Sequence, residues 1–173
     1  MDTLSSKNGL AALVFAAAAL LSACGYRPVS ESPAGVAPNL QVVAITNDTY
    51  KPGLQAVVSA AILRELRLGG QRMGADGRPP DFILSGSVTG YENDAIAYTR
   101  EDIGQRFRVR VTMLAILSPR GGGPARLRET IIGQAFYSTG ADVVGTRAAE
   151  NDAAFRAAQD LARRLAARIM EEL

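Results

Sequence analysis

The sequence contains no histidine, and its only cysteine is Cys24. Histidine is the commonest general base and metal ligand in proteins, and cysteine supplies the thiol nucleophile. Ser-His and Cys-His catalytic machinery and zinc sites are therefore excluded in their usual forms. The composition argues against most familiar enzyme classes before any motif is considered.

A strong net charge is also missing, because 19 basic and 17 acidic side chains leave a balance of only +2. This argues against a protein that binds nucleic acid over its whole surface. The charge is nevertheless uneven. Between Arg100 and Arg128 there are seven arginines but only two acidic residues, Glu101 and Asp102.

Few residues suggest catalysis. Glu92 with Asp94 and Glu101 with Asp102 are spaced like paired acid–base carboxylates, but both pairs lie in polar stretches that we interpret as solvated loops. The glycine run 121–123 precedes Pro124 and lacks the Lys-Ser/Thr of a phosphate loop, which favours a plain turn. We expect no enzymatic activity, no metal and no cofactor.

The N-terminal segment resembles a cleaved signal peptide, predicted here as residues 1–23. Lys7 gives a sparse positive region, and Leu10 to Leu21 form an apolar run of twelve residues. A helix that spans a bilayer needs about 20 apolar residues. A signal peptide therefore explains this run better than a permanent transmembrane helix does.

The apolar run ends in a sequence that resembles a bacterial lipobox, Leu21-Ser22-Ala23-Cys24. The lipobox rule implies a diacylglycerol on the thiol of Cys24, cleavage before it and an N-acyl chain such as palmitate on the new amine. Two or more chains give a stable anchor, whereas one binds a membrane only marginally. The alternative is a free or disulfide-bonded Cys24, although a lone cysteine has no partner within the chain.

Three regions are predicted: the signal peptide, a lipidated flexible tether over residues 24–39 and a single folded domain over residues 40–173. The tether contains Pro28, Pro33 and Pro38 among Ser and Gly residues. Gly25 stands where lipoproteins kept in the inner membrane often carry Asp. We therefore expect the mature chain on the periplasmic side of the outer membrane.

Hydrophobic periodicity predicts six elements. A strand over residues 40–45, apolar on both faces, is expected to be covered on two sides or paired centrally. A helix opening near Pro52 and ending at Gly69 has its apolar stripe at every fourth residue. A strand near residues 82–89, a connection over 93–104, strands over 105–117 and 128–137, and a helix over 146–173 complete the order β-α-β-β-β-α. The predicted fold is α+β, with two helices on one face of a four-stranded sheet.

Several local strings resemble the LptE family of lipopolysaccharide-assembly lipoproteins. They are Cys24-Gly25-Tyr26-Arg27 at the lipid, residues 42–45 with 47–49, and Lys51-Pro52-Gly53-Leu54 at the first helix, followed by 62–66, 81–86, 107–111 and 158–165. Two departures, the insertion around residues 121–124 and Arg128-Glu129-Thr130 in place of a common Trp, concern the β-hairpin. The resemblance implies a non-enzymatic protein that plugs the lumen of the LptD outer-membrane β-barrel while lipopolysaccharide passes to the outer leaflet.

The strand over residues 105–117 carries the candidate contact residues. Arg106, Arg108 and Arg110 share one face, with neighbours about 6.8 Å apart. Arginine suits phosphate oxygens, so these residues are candidates for contact with lipopolysaccharide phosphates or with an acidic barrel lining. A solvated strand face is the plain alternative. Leu114 and Ile116 on the same face mark either a partner contact or the floor of a loop.

Two other functions remain open at this stage. An accessory lipoprotein of another envelope lipid-transport complex could share the lipobox and an α/β domain. A lipid-anchored hydrolase would need a helper such as Lys51, the only lysine after the signal peptide, and this residue lies in a predicted turn. We expect a large β-barrel, lipopolysaccharide and the outer membrane as partners, and no nucleic acid.

Overall fold

The computed structural model of the chain describes residues 38–74, 77–98, 104–139 and 142–173. The predicted signal peptide, the lipobox and Cys24 lie outside these residues, as do Glu101 and Asp102. The elements are β1 (Leu40–Val42), β2 (Thr46–Asn47), α1 (Leu54–Leu68), β3 (Phe82–Tyr98), β4 (Gly104–Pro119), β5 (Leu127–Ser138) and α2 (Val143–Glu172).

The sheet has five strands in the order β1-β3-β4-β5, and β2 also pairs with β3. The predicted α+β class with two helices is confirmed, whereas the predicted count of four strands is one too low. The difference arises because the strand predicted over residues 40–45 ends at Val42 as β1, and Thr46 and Asn47, in a stretch between the predicted strand and helix that the sequence favours as a turn, form the additional strand β2; both are parallel to β3. Strands β1 and β2 form an edge of the sheet and are not centrally paired, which corrects the prediction. Gln41 and Ala44 are exposed there.

Strand β3 continues nine residues past the predicted end of its regular alternation and includes part of the predicted connection over residues 93–104. Its register with β4 shifts between Val88 and Gly90, so that Thr89 has no direct partner. Such a bulge reverses which face later side chains occupy. The periodicity is therefore interrupted at Thr89, although the strand itself continues.

Strands β4 and β5 follow the predicted alternation closely. In β4 the inner face carries buried Val109, Val111, Met113 and Leu117 together with partly buried Phe107. Every second residue of β5 from Leu127 to Tyr137 is also buried, except Glu129, which is only partly buried. These side chains form the sheet's contribution to the core.

Both helices bury their apolar stripes. Leu54, Val58, Ala61, Ile62 and Leu66 of α1 are buried. The stripe of α2 is buried as well, including Ala154, Ala158, Leu161, Leu165 and Ile169. Helix α2 packs on β4 and β5, and α1 packs against α2 and more lightly on β2 and β3. Helix α2 begins three residues before its predicted start, because the Asp142 side chain accepts a hydrogen bond from the Gly145 N–H at 2.6 Å.

Helix α2 lies unusually close to β5 at Gly133. A Cβ atom added to Gly133 would stand 2.1 Å from the Ala157 carbonyl oxygen and 2.4 Å from the Leu161 nitrogen. The facing positions of the helix include fully buried alanines such as Ala157 and Ala158. Small residues on both elements thus allow the backbone of the helix to approach that of the strand.

The folded body includes Asn39, one residue before its predicted start. The buried Asn39 side chain donates to the carbonyl oxygens of Arg78 and Pro79 and accepts from the Gly74 N–H at 2.6 Å. The Asn39 N–H donates to the Asp81 carboxylate at 2.8 Å. These bonds fix the point at which the chain enters the sheet, beside Phe82.

None of the helices within the described residues is long and apolar enough to cross a bilayer.

Replacement of Gly133 by Ala tests the helix–strand approach. We expect Gly133→Ala to lower the free energy of unfolding by about 1–3 kcal/mol or more, because an added Cβ can be accommodated only by moving backbone. Urea unfolding followed by circular dichroism measures the change. Gly121→Ala is the matched control, since a Cβ at Gly121 meets no atom within 4 Å. An equal effect of the two substitutions would show that the approach at Gly133 is not a packing constraint.

Candidate functional site: the outer face of the sheet

The face of the sheet that points away from the two helices carries all five of the candidate contact residues. Because side chains alternate along β4, the burial of Val109, Val111 and Met113 on the inner face places the even-numbered residues outside. Arg106, Arg108, Arg110, Leu114 and Ile116 therefore share this outer face, as predicted. Over the described residues both helices pack on the inner face, so they leave the outer face uncovered.

Arg108 and Arg110 of β4 are not free cations. Arg108 lies 3.6 Å from the Asp94 carboxylate, and Arg110 lies 3.2 Å from the same carboxylate. Arg110 also forms an ion pair with Glu92. We call these four residues the charged ladder. Their side chains are one third to one half exposed, so each pair contributes little to stability by itself.

The predicted loop position of Glu92 and Asp94 is wrong, because both residues lie in β3 opposite β4. Glu92 is paired in register with Arg110, and Asp94 with Arg108. The bulge at Thr89 is the reason. Without it, even-numbered residues of β3 would continue on the inner face with Leu84 and Val88. The alternating charges of β3 and β4 were visible in the sequence, but their register was not.

The charged ladder leaves some donors unused. The Nε atoms of Arg108 and Arg110 are buried and have no hydrogen-bond partner among the described residues. The terminal nitrogens of both guanidinium groups carry the ion pairs. Buried donors without partners are uncommon in folded proteins. The arrangement is thus less fully satisfied than a purely structural ion-pair network would be.

Arg106 has a different environment at the end of the row. Its guanidinium carbon lies 5.3 Å from the centre of the Phe136 ring, in a cation–π arrangement. It forms no ion pair with a carboxylate among the described residues. An open cavity of about 430 Å³ adjoins this pair and is lined also by Ser138, Asp152 and Arg156. Arg106 is therefore the most available cation of the predicted row.

The other half of the outer face, which we call the apolar half, carries aliphatic side chains among the small polar residues Ser85, Ser87 and Thr130. Leu114 and Ile116 are only partly buried, and they lie near two further aliphatic residues, Ile83 of β3 and Ile132 of β5. Ile132 is 46% exposed. The sequence did not indicate that Ile83 and Ile132 belong to this face. They lie on it because they pair in register with Ser118 and Thr112, two outer-face residues of β4. The face thus divides into a charged half and an apolar half along β4.

Lys51 belongs to a separate polar cluster on the helix side of the sheet. Its ammonium nitrogen lies 2.8 Å from Glu150 Oε1 and 3.0 Å from Asn151 Oδ1. The Tyr91 hydroxyl donates to the same Glu150 oxygen at 2.8 Å. Burial, followed by the hydrogen bond to Glu150, raises the pKa of Tyr91. The hydrogen bond from Lys51 lowers the pKa of Glu150, an effect that burial opposes and the bond from Tyr91 supports.

This cluster connects the segment before α1 with β3 and α2. Its contacts explain the position of Lys51 without a catalytic role, because two of its three ammonium donors are engaged. Within the described ranges of the chain, no group of three or more Cys, Asp or Glu residues could hold a metal ion.

Comparisons with known proteins identify the family. The family model described as "LptE: Lipopolysaccharide-assembly" matches residues 37–169. No curated protein matches the sequence.

Solved structures share the fold at low sequence identity. A minor lipoprotein from Acinetobacter baumannii superposes with a TM-score of 0.53 at 16% identity, covering 79% of this chain and 92% of that one. A protein from Xanthomonas campestris gives 0.54 at 13% identity, covering 80% and 90%. A hypothetical protein from Chlamydia trachomatis gives 0.51 at 12% identity, covering 78% and 96%. At these identities the likeness concerns the fold alone.

Removal of the Glu150 carboxylate tests the structural role of its cluster. We expect Glu150→Gln to destabilise the protein at pH 7 by about 1.5–3 kcal/mol, the usual range for hydrogen bonds to a charged group. Because folding lowers the pKa of Glu150, its contribution is complete above the ordinary value of 4.5 and is lost as the pH falls through the lower folded value.

Urea unfolding of both proteins between pH 7 and pH 3 provides the measurement. The stability difference between wild type and Glu150→Gln should shrink as the pH falls below about 4.5. Glu172→Gln is the control, because Glu172 forms no ion pair with a described residue. A difference that stayed constant across this range would contradict the assigned role.

Proposed function

The chain belongs to the LptE family of lipopolysaccharide-assembly proteins, and on this premise we propose that it plugs an LptD-type β-barrel in the outer membrane. In this role it would occupy the barrel lumen while lipopolysaccharide passes to the outer leaflet. It would act by binding and would catalyse no reaction. The family match over residues 37–169 is the observation that carries this proposal.

The outer face of the sheet supports the proposed contact with a barrel. Large barrels have a polar lumen, so a plug should present charged and polar side chains. The charged ladder and Arg106 provide such a surface, and neither helix covers it over the described residues. The face is also rigid, because β4 is paired on both sides along most of its length.

The proposed location rests on the lipid at Cys24. With Gly25 after the cysteine, we propose anchoring at the periplasmic side of the outer membrane. A tether of about fifteen residues reaches roughly 50 Å when fully extended. The anchor would then keep the folded domain close to a barrel mouth that opens into the periplasm.

Arg106, Arg108 and Arg110 remain our proposed contacts for lipopolysaccharide phosphates or for acidic residues of the barrel. The ion pairs refine this proposal, because an incoming anion must compete with Glu92 and Asp94 for Arg108 and Arg110. Arg106 faces no such competition among the described residues. We therefore propose that Arg106 makes the first contact with the anion. Arg108 and Arg110 then bind it by giving up their ion pairs with Asp94 and Glu92.

Co-purification tests the proposed partner. We expect the tagged lipoprotein, after mild detergent solubilisation, to bring down a large outer-membrane β-barrel in stoichiometric amount, because a plug needs extensive contact with its barrel. Mass spectrometry identifies the captured protein. Recovery of a transporter complex in place of a barrel would instead favour an accessory subunit of another envelope lipid-transport system.

The same experiment without the lipid separates anchoring from recognition. A version secreted without Cys24 should still bind the barrel in vitro but should form less complex in cells, because the anchor supplies only local concentration. Complete loss of binding in vitro would contradict this division of roles.

Charge changes test the arginine contacts. Arg108→Glu with Arg110→Glu should weaken lipopolysaccharide binding at least about 10-fold, since two charge-assisted contacts are lost and two repulsions are introduced. Glu92→Gln with Asp94→Asn should strengthen it, because both arginines lose their competing partners. Fluorescence titration with labelled lipopolysaccharide measures the affinities.

The matched control reverses Arg163 and Arg164, two exposed arginines of α2 in the helix layer. It should leave binding unchanged. Unaltered lipopolysaccharide binding and barrel capture in both ladder variants would remove the arginine proposal while leaving the family assignment intact.

A further inference from the structure

Three exposed arginines lie at the β4–β5 turn: Arg120 and Arg126 in the turn and Arg128 at the start of β5. The turn is closed by the hydrogen bond from the Arg126 N–H to the Leu117 carbonyl oxygen at 2.8 Å, so its two ends lie side by side. Arg128 follows on the outer face in register with Ile116. We call these three residues the arginine rim.

The arginine rim differs from Arg108 and Arg110 of β4, because none of its members forms an ion pair with a carboxylate in the described parts of the chain. Two described carboxylates lie close to the rim. Glu129, next to Arg128 in the sequence, binds Arg168 at 3.0 Å. Asp81, whose backbone carbonyl accepts the Arg120 N–H, has its carboxylate hydrogen-bonded to the Asn39 N–H at 2.8 Å. Three arginines without an ion-pair partner among the described residues therefore stand together at one end of the sheet.

The rim borders the apolar half of the outer face, formed by Ile83, Leu114, Ile116 and Ile132. A partly exposed aliphatic patch beside unpaired arginines matches a bilayer surface that has an apolar interior and anionic headgroups. Charge complementarity thus points to an anionic surface, and the aliphatic residues favour a lipid one.

The position of this surface in the fold agrees with a bilayer as partner. The chain enters the sheet at Asn39 and Leu40. Leu40 pairs with Phe82 of β3, and Phe82 pairs with Pro119 of β4, beside the β4–β5 turn. The charged ladder lies toward the other end, since Arg108 and Ile116 are about 27 Å apart along β4. The surface therefore lies at the same end of the sheet as the segment that leads back to Cys24.

We propose that the arginine rim and the adjoining aliphatic residues form a docking surface for an anionic lipid bilayer. The tethered domain rests on the membrane through this surface when it is outside its complex. Headgroup phosphates contact the arginines, and the aliphatic residues reach the upper acyl region. The proposal needs no barrel partner.

The absence of tryptophan makes this surface accessible to a direct test, because a single introduced tryptophan reports without background. We place it at the exposed turn residue Ala125 (Ala125→Trp) and, as control, at Val144 near the start of α2 (Val144→Trp). Val144 is 77% exposed and lies at the opposite end of the molecule. The mature full chain is incorporated in vesicles of phosphatidylcholine alone or with one quarter phosphatidylglycerol.

In anionic vesicles at low salt, the tryptophan at position 125 should shift its emission to the blue and be quenched by brominated acyl chains. The tryptophan at position 144 should do neither. Reversal of the rim (Arg120→Glu, Arg126→Glu, Arg128→Glu) should reduce the ratio of docked to undocked domain by at least about 100-fold, since the loss of each cation alone costs about 5-fold near an anionic leaflet and the introduced carboxylates add repulsion. Replacement of the three by lysine should retain docking, because only charge is required.

Circular dichroism and thermal unfolding verify that each variant folds. The proposal is overturned if position 125 shows no change in anionic vesicles, if neutral vesicles give the same change, or if position 144 responds equally. None of these outcomes bears on barrel capture, so the result is separable from the test of the proposed function.

Discussion

The approach of the α2 backbone to β5 at Gly133 is the contact on which the rest of the structure depends. Since α2 covers β5 and β4, α1 must bury its own stripe against α2 and the β2–β3 edge, so both helices lie on one face. Close contact also brings the polar side chains of α2 to the free edge of β5. Asp160 accepts the Gln134 N–H and Arg156 donates to the Phe136 carbonyl oxygen, which protects that edge from pairing with another chain.

Because both helices cover the same face of the sheet, the outer face is available for partners. The bulge at Thr89 then determines its chemistry, because it brings Glu92 and Asp94 to this face opposite the arginines of β4. The charged half is nearly neutral as a whole, which suits a surface that meets both acidic and basic groups in a barrel lumen. The arginines at the turn at the other end form no ion pair with a described residue.

Much of the fold followed from local patterns. The stripes of α1 and α2, the alternation of β4 and β5 and the closure of α1 at Gly69 were predicted, because burial on one face imposes a period on the sequence. The edge strand and the length of β3 were not. Residues Val43–Ile45 are apolar, so their pattern predicted that the first strand continues past Val42. The bulge in β3 shifts the alternation by one residue, so the pattern predicted too short a strand there.

The sequence by itself determined the family, the α+β class, the two helices and the outer position of Arg106, Arg108 and Arg110, since these depend on short strings and on periods of 2 and 3.6 residues. Only the tertiary structure decided which of those arginines are paired. Ion pairs between β3 and β4 depend on register, and register depends on a bulge whose position is set by packing across the whole sheet. The same holds for Asn39 and for the cluster of Lys51, Tyr91 and Glu150, whose members come together from distant parts of the chain.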